Sequence, residues 1–293
     1  MIKPYELEPK LSIQRPGERP FRILVTEEGR RPGELMAWDF VNRALYEAEH
    51  SGGKKLVIAT QTGATALPFQ EALVEANNHG QFLFSTLVGM GIVIDEFAGA
   101  GLDTPWGYLN WQMEKLYKPV GMNPTKILCP GPDNFLTLDQ TIERLGGIDF
   151  AFGGIGLPAS AHYAFHETGV PLKTGCHLAT LHEATKAANQ DYMPPGMKVP
   201  DCGYTLGVAT VVSHARHICI AAEGESKIES VVRALTGPIA ADCPQSGLRI
   251  GSPDTIPELV PCEGGTLTYV ICPQIWAALE GPLLLGQLAQ AAR

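Results

Sequence analysis

The sequence reads as an α/β protein: a doubly wound, mostly parallel sheet flanked by helices, Rossmann-like and three-layered α/β/α. Short apolar runs rich in β-branched residues alternate with amphipathic helical stretches along most of the chain. Alternation at this spacing implies right-handed crossovers and hence parallel strands. With 293 residues, 45% hydrophobic and 18% charged, the chain has ample apolar material for a core. Several of the apolar runs end in glycine, threonine or an acid, and ligands of doubly wound sheets collect at those carboxyl ends.

In order, residues 1–20 are rich in Pro and charge and read as an N-terminal arm, with 21–293 as a single domain. FRILVT (21–26) precedes a helical pattern over 32–50, and KKLVIAT (54–60) precedes one over 66–78. GIVIDEF (91–97) reads as one strand before a helix over 104–117, and TKILCP (125–130) leads to TLDQTIERLG (137–146). GIDFAFGGIG (147–156) runs into a loop, and a stretch from Lys173 to Asp201 reads as an insertion or lid. HICIAAEG (217–224) precedes a helix over 225–237, and 266–290 supplies a last strand and helix.

Charge and cysteine usage exclude several classes. Twenty-two basic against 31 acidic residues give a net charge of -9, which argues against a general nucleic-acid or anionic-membrane surface. An anionic ligand must then be held by local features. Seven cysteines without a C-x-x-C pair read as reduced thiols in a cytoplasmic protein. The start has no apolar leader core, and no run of about eighteen apolar residues occurs, so neither secretion nor a membrane span is expected. The tail's apolar segments are compatible with a homo-oligomer.

Four strand ends carry polar chemistry. In VIATQTGATALPFQEAL, residues Thr62, Gly63, Ala64 and Thr65 open a helix, where free amides and two hydroxyls suit a phosphate; a plain capped turn is the alternative. Asp95 and Glu96 end an apolar run, where desolvation raises a carboxyl toward the range of a general base. Strand alternation sends one into the cleft and one into support. In FGGIGLPASAHYAFHETG, a short helical turn would put His162 and His166 on one face beside Glu167, which fits a metal pair or, better, a proton-handling histidine with a carboxylate neighbour. Lys227 lies in the first turn of a helix, against the dipole's preference; it suits a bound anion or a surface pair with Glu223 or Glu225.

These segments resemble, in order, motifs of the glucosamine-6-phosphate deaminase family, which shares its fold with 6-phosphogluconolactonases. IATQTGATALPFQEAL resembles the strand-T-G-S-T-P loop, IDEFAG resembles D-E-Y-V-G, and FGGIGLPASAHYAFHETG resembles G-I-G-x-D-G-H-I-A-F-N-E-P-G. YTLGVATVVSHARHICIAAEGESKIESVVRALTGPI resembles the T-x-G-V-x-T segment and the lysine-bearing helix. The resemblance implies catalytic roles for Asp95 as proton shuttle, Glu96 as its neighbour, His162 in ring opening and Glu167 as its partner. It implies phosphate binding at Thr62, Gly63, Ala64, Thr65 and Lys227, with a substrate loop at Gly154, Gly156 and Ser160. No cofactor and no metal are implied; the partner is a small sugar phosphate.

Two departures stand out. The aspartate that precedes the family's histidine is absent, the loop is about two residues longer, and Ser160 is left to offer a neutral hydrogen bond. The family's phosphate-binding arginine appears as Gln190; either Lys186 nearby or another cation substitutes, or the anion is different. Lactone hydrolysis with His162 activating water, a binding module without turnover, and a metal hydrolase using His162, His166 and His177 or His182 are the competing readings.

Overall fold

The computed structural model describes residues 7–50 and 52–291; the first six residues of the expected arm lie outside them. The strands are β1 (Leu11–Ile13), β2 (Phe21–Val25), β3 (Leu56–Thr60), β4 (Val88–Val93), β5 (Asp95–Phe97), β6 (Ile127–Leu128), β7 (Ile148–Gly153), β8 (His177–Thr180), β9 (Cys202–Thr205), β10 (Ala215–Ala222) and β11 (Thr266–Ile271). The helices are α1 (Pro32–His50), α2 (Leu67–Asn78), α3 (Phe84–Leu87), α4 (Tyr108–Gln112), α5 (Leu138–Arg144), α6 (Glu183–Asn189), α7 (Val208–His214), α8 (Ile228–Thr236) and α9 (Pro273–Ala291). A π-helical turn, Met113–Tyr117, continues α4.

Eight strands form the central sheet in the order β1-β2-β11-β10-β7-β3-β4-β6. All its pairings are parallel except β1 with β2. The described part of the arm therefore joins the sheet as an antiparallel edge. Alternation along β10 shows the three layers: Ile218, Ile220 and Ala222 enter one core with α7, α8 and α9, while Cys219 and Ala221 enter the other with α1 and α2. On that second face Phe40 of α1 sits 5.1 Å, ring to ring, from both Phe150 and Phe152 of β7. Edge-on aromatic packing of this kind adds to area burial in fixing helix against sheet.

The chain runs from β3 outward through β4 to β6, then returns to β7 on the other side of β3 and continues through β10 to β11. Strand order thus reverses between β3 and β7, and a crevice opens outside the carboxyl ends of such a pair. The loops after β3 and after β7 are the glycine-bearing segments singled out above.

One expectation is corrected and another is narrowed. GIVIDEF is not one strand: β4 ends at Val93, and beyond Ile94 the chain leaves the main sheet as β5. There β5 pairs antiparallel with β9, and β9 with β8, in a separate three-stranded sheet. Of the two readings of 173–201, insertion or lid, the structure favours the insertion: β8 builds that small sheet, and Lys186 of α6 pairs with Asp201, next to β9, at 2.8 Å. Among the described residues no helix is long and apolar enough to cross a membrane. All seven cysteines are free.

Candidate active site

The loop after β3 is a tight turn around Gly63, whose φ is +112°, with the Ala66 and Leu67 amides returning to the Gly63 carbonyl at 3.0 and 3.2 Å. Among the described residues, the amides of Gly63, Ala64 and Thr65 have no hydrogen-bond partner. Buried Gln112, at the end of α4, sets the loop's first side chain: its Nε2 donates to Thr60 O at 2.9 Å and to Thr62 Oγ1 at 3.3 Å. The Thr60 hydroxyl in turn meets Gln112 Oε1 and, at 2.8 Å, the Tyr117 hydroxyl. Gln112 had no signal in the sequence, since nothing ties a helix-end glutamine to a strand more than forty positions earlier.

Asp95 and Glu96 take different environments. The Ile94 amide donates to Thr60 O at 3.0 Å, so the break before β5 leaves Asp95 beside the root of the Thr62–Thr65 loop. Asp95 is 5% exposed, and its Oδ1 has no hydrogen-bond partner. Burial, reinforced by the neighbouring Glu96 charge, pushes its carboxyl up to about 8. Glu96 accepts from the amides of Phe97 (2.8 Å), Tyr108 (2.9 Å) and Leu109 (2.7 Å), so it caps the start of α4. Burial still raises its carboxyl, against the pull of those three amides. Glu96 is thereby a fixed acid that shapes Asp95.

The His162 loop is not helical. Ala161 and Ala164 both take positive φ, 42° and 53°, and a bridge between Tyr163 and His166 turns the chain back. The two imidazoles therefore part company, contrary to the expected shared face. His166 is fully buried; its Nδ1 accepts from the Val208 amide at 3.2 Å and its Nε2 lies 3.3 Å from Val170 O. Desolvation, with the nearby His177, lowers it to about 4, so it is a neutral structural residue. Among the described residues no group of three or more His, Cys, Asp and Glu is placed to hold a metal.

His162 stays half-buried, with three groups around Nδ1: Ser160 Oγ at 2.8 Å, Thr185 Oγ1 at 3.2 Å and Glu167 Oε2 at 3.5 Å. Burial alone would raise the Glu167 carboxyl, but His162, Thr185 and the His182 amide (3.1 Å to Oε1) hold it below its ordinary value. A carboxylate and two hydroxyls at Nδ1 leave Nε2 as the nitrogen without a protein partner. Gly156 is required here: a Cβ would lie 2.6 Å from His162 Nδ1, and its amide closes the loop on His162 O at 3.0 Å. Gly154 faces the other loop, where a Cβ would come within 2.8 Å of Gln61 Nε2. Thr185, which the sequence did not flag, arrives on α6.

Lys227 ends a short 3-10 turn before α8 and donates from Nζ to Ile155 O at 2.7 Å. Burial lowers its pKa. Glu223 does not pair with it but with Arg31. Lys186 is held by Glu183 (2.6 Å) and Asp201 (2.8 Å), so it is committed to an ion pair on the small sheet's side. Gln190 clamps the following loop through Met197 O (2.8 Å) and the Val199 amide (3.4 Å). Gln190 carries no charge, and the Lys186 ammonium is already paired twice.

No family model matches the chain. Glucosamine-6-phosphate deaminase 2 of Bacillus subtilis (strain 168) is 27% identical over 235 residues, 78% of this chain and 90% of that protein. The glucosamine-6-phosphate deaminase of Colwellia psychrerythraea is 29% identical over 201 residues, 66% of this chain and 73% of that protein. Among solved structures, a monomeric glucosamine-6-phosphate deaminase superposes with a TM-score of 0.72 at 22% identity, covering 88% of this chain and 99% of its own. The 6-phosphogluconolactonase of Thermotoga maritima superposes with a TM-score of 0.59 at 15% identity, covering 86% and 99%. The chain is thus similar in sequence to glucosamine-6-phosphate deaminases and carries the α/β fold that they share with 6-phosphogluconolactonases.

Proposed function

We propose that this protein is a cytoplasmic sugar-phosphate isomerase and deaminase that converts an amino-sugar phosphate and water into a ketose phosphate and ammonia. The observation that carries the reading is the buried Asp95, raised to about 8 with an unpartnered Oδ1, one residue beyond the Ile94 amide that binds Thr60 O at the end of β3. A carboxyl in that state is a poor structural residue and a well-tuned proton carrier. In this reading the phosphate rests on the amides of Gly63, Ala64 and Thr65 with Lys227. His162, oriented by Glu167, Ser160 and Thr185, moves the proton that opens the pyranose ring. Asp95 then takes the C2 proton and returns it to C1, and water releases ammonia from the resulting C2 imine. An ammonium on the substrate would lower the Asp95 pKa on binding, so that the base is generated where it is used. The exposed Leu284 and Leu285 of α9 support self-association, which analytical ultracentrifugation measures.

Ammonia and ketose phosphate, assayed over a panel of amino-sugar and neutral sugar phosphates and lactones, test the reading. Wild type should release ammonia and Asp95→Asn should not. Isomer without ammonia would move the substrate to a neutral sugar phosphate while keeping Asp95 as base. Lactone hydrolysis indifferent to Asp95→Asn would overturn the reading. A sugar phosphate that raises the melting temperature without turnover would leave only a binding module.

A further inference from the structure

The wall of the Thr62–Thr65 loop is built by the start of α1, a segment to which the family resemblance gives no role. Gly33 approaches so closely that a Cβ there would lie 2.9 Å from Thr65 O and 3.0 Å from the Phe69 amide. This contact pins the turn carrying Arg31 against the loop, and Arg31 Nη2 lies 3.4 Å from Ala64 O. A guanidinium therefore sits at the loop whose amides have no partner.

Its charge is answered in an incomplete way. Nε and Nη2 of Arg31 both reach the same oxygen of Glu223, each at 3.3 Å. The two side chains remain 41% and 36% exposed. A fork sharing one carboxylate oxygen at that distance, in solvent, is a weak pair. Two parallel hydrogen bonds to a phosphate would suit it better. Glu223 itself follows the end of β10, on the stretch that leads into Lys227. The pair therefore ties the start of α1 to the stretch that carries Lys227.

We infer that Arg31 is a phosphate-binding residue of this site, and that Glu223 is its resident counterion, displaced when the substrate's phosphate arrives. The inference rests on the reading of the Thr62–Thr65 loop as a phosphate cradle, and it accounts for the missing arginine: the guanidinium comes from the start of α1 instead of the segment around Gln190. It also sets a preference. A ligand must outcompete a carboxylate, so a phosphate dianion is favoured over its monoanion, and affinity rises as pH passes the second phosphate ionisation near ~6.

The test uses the full chain with inorganic phosphate as the calorimetric probe and the KM for the best amino-sugar phosphate as the kinetic one. Variants are Arg31→Ala, Glu223→Gln and Lys227→Ala, with melting curves to confirm folding. Arg31→Ala should weaken phosphate at least tenfold and raise KM more than it lowers kcat. Glu223→Gln should tighten phosphate roughly threefold or more, an outcome that a merely structural ion pair would not give. If Lys227→Ala weakens phosphate while Arg31→Ala leaves it unchanged, or if Glu223→Gln weakens it, the cradle stands and the role of Arg31 is refuted. If wild type binds no phosphate and turns over no sugar phosphate, the cradle reading fails and takes this inference with it.

Discussion

Replacing Asp95 by Asn should remove turnover and, at neutral pH, stabilise the fold. The wild-type carboxyl titrates at about 8 when folded against 3.8 when exposed, because burial and the Glu96 charge penalise its ionised form. The folded state therefore holds a proton that the unfolded state gives up between those values, and stability falls as pH rises through the interval. Each pH unit costs ~1.36 kcal/mol, so about 4 kcal/mol has been lost by pH 7. Asparagine escapes that loss but places an amide where Oδ1 has no partner, at a cost of about 1–3 kcal/mol. The net gain at pH 7 is roughly 1–3 kcal/mol, or about 2–10 °C in melting temperature for a chain of this size. Scanning calorimetry from pH 4 to 9 reads it. The variant should start level with or below wild type at pH 4, overtake it as pH rises, and hold a constant lead above about 8. A difference independent of pH, or one that grows toward acid, would refute the burial argument. Stabilisation with retained turnover would refute the catalytic one.

Gly156→Ala puts a methyl where His162 Nδ1 lies 2.6 Å away, so the loop must open and the imidazole must move. Turnover should fall by about 100-fold, as displacements of ~1 Å at a reacting group do, and kinetics within twofold of wild type would contradict the placement. Thr185→Val removes the hydroxyl 3.2 Å from His162 Nδ1 and is expected to lower kcat about tenfold with little change in KM, with Thr185→Ser restoring it. Asp39→Ala strips the buried carboxylate shared by Arg22 and Arg43 and should cost ~3–5 kcal/mol, read from the urea midpoint, with no effect on KM.

What the sequence makes legible follows from how local the cause is. Strand and helix alternation is written into neighbouring residues, so the central sheet and its flanking helices follow from the order of apolar runs. The break at Ile94 has no local mark. GIVIDEF is apolar enough to continue, and β5 turns away because β9, more than a hundred positions later, offers Asp95, Glu96 and Phe97 their backbone partners. The bend of the His162 loop is hidden for a related reason: positive φ falls on Ala161 and Ala164, residue types that give no sign of it, and the surrounding packing over-determines the conformation.

The same division runs through the site. Asp95, Glu96 and Lys227 announce themselves because each sits just past an apolar strand or just before a helix, and His162 because it stands with Glu167 in the glycine-bearing loop after β7. Their partners do not: Gln112 holds Thr62, Thr185 crowds His162, and Arg31 rather than Lys227 takes Glu223. Gln112 and Thr185 lie on helices and Arg31 just before one, in stretches that ask only for ordinary surface or core residues, and only the fold brings them to their partners. A departure from a family motif, such as Ser160 in a loop without its aspartate, therefore does not measure what the site has lost. Hydroxyls or a guanidinium from another segment can occupy the same space, and only the folded arrangement shows that His162 Nδ1 is met by Ser160, Thr185 and Glu167 together.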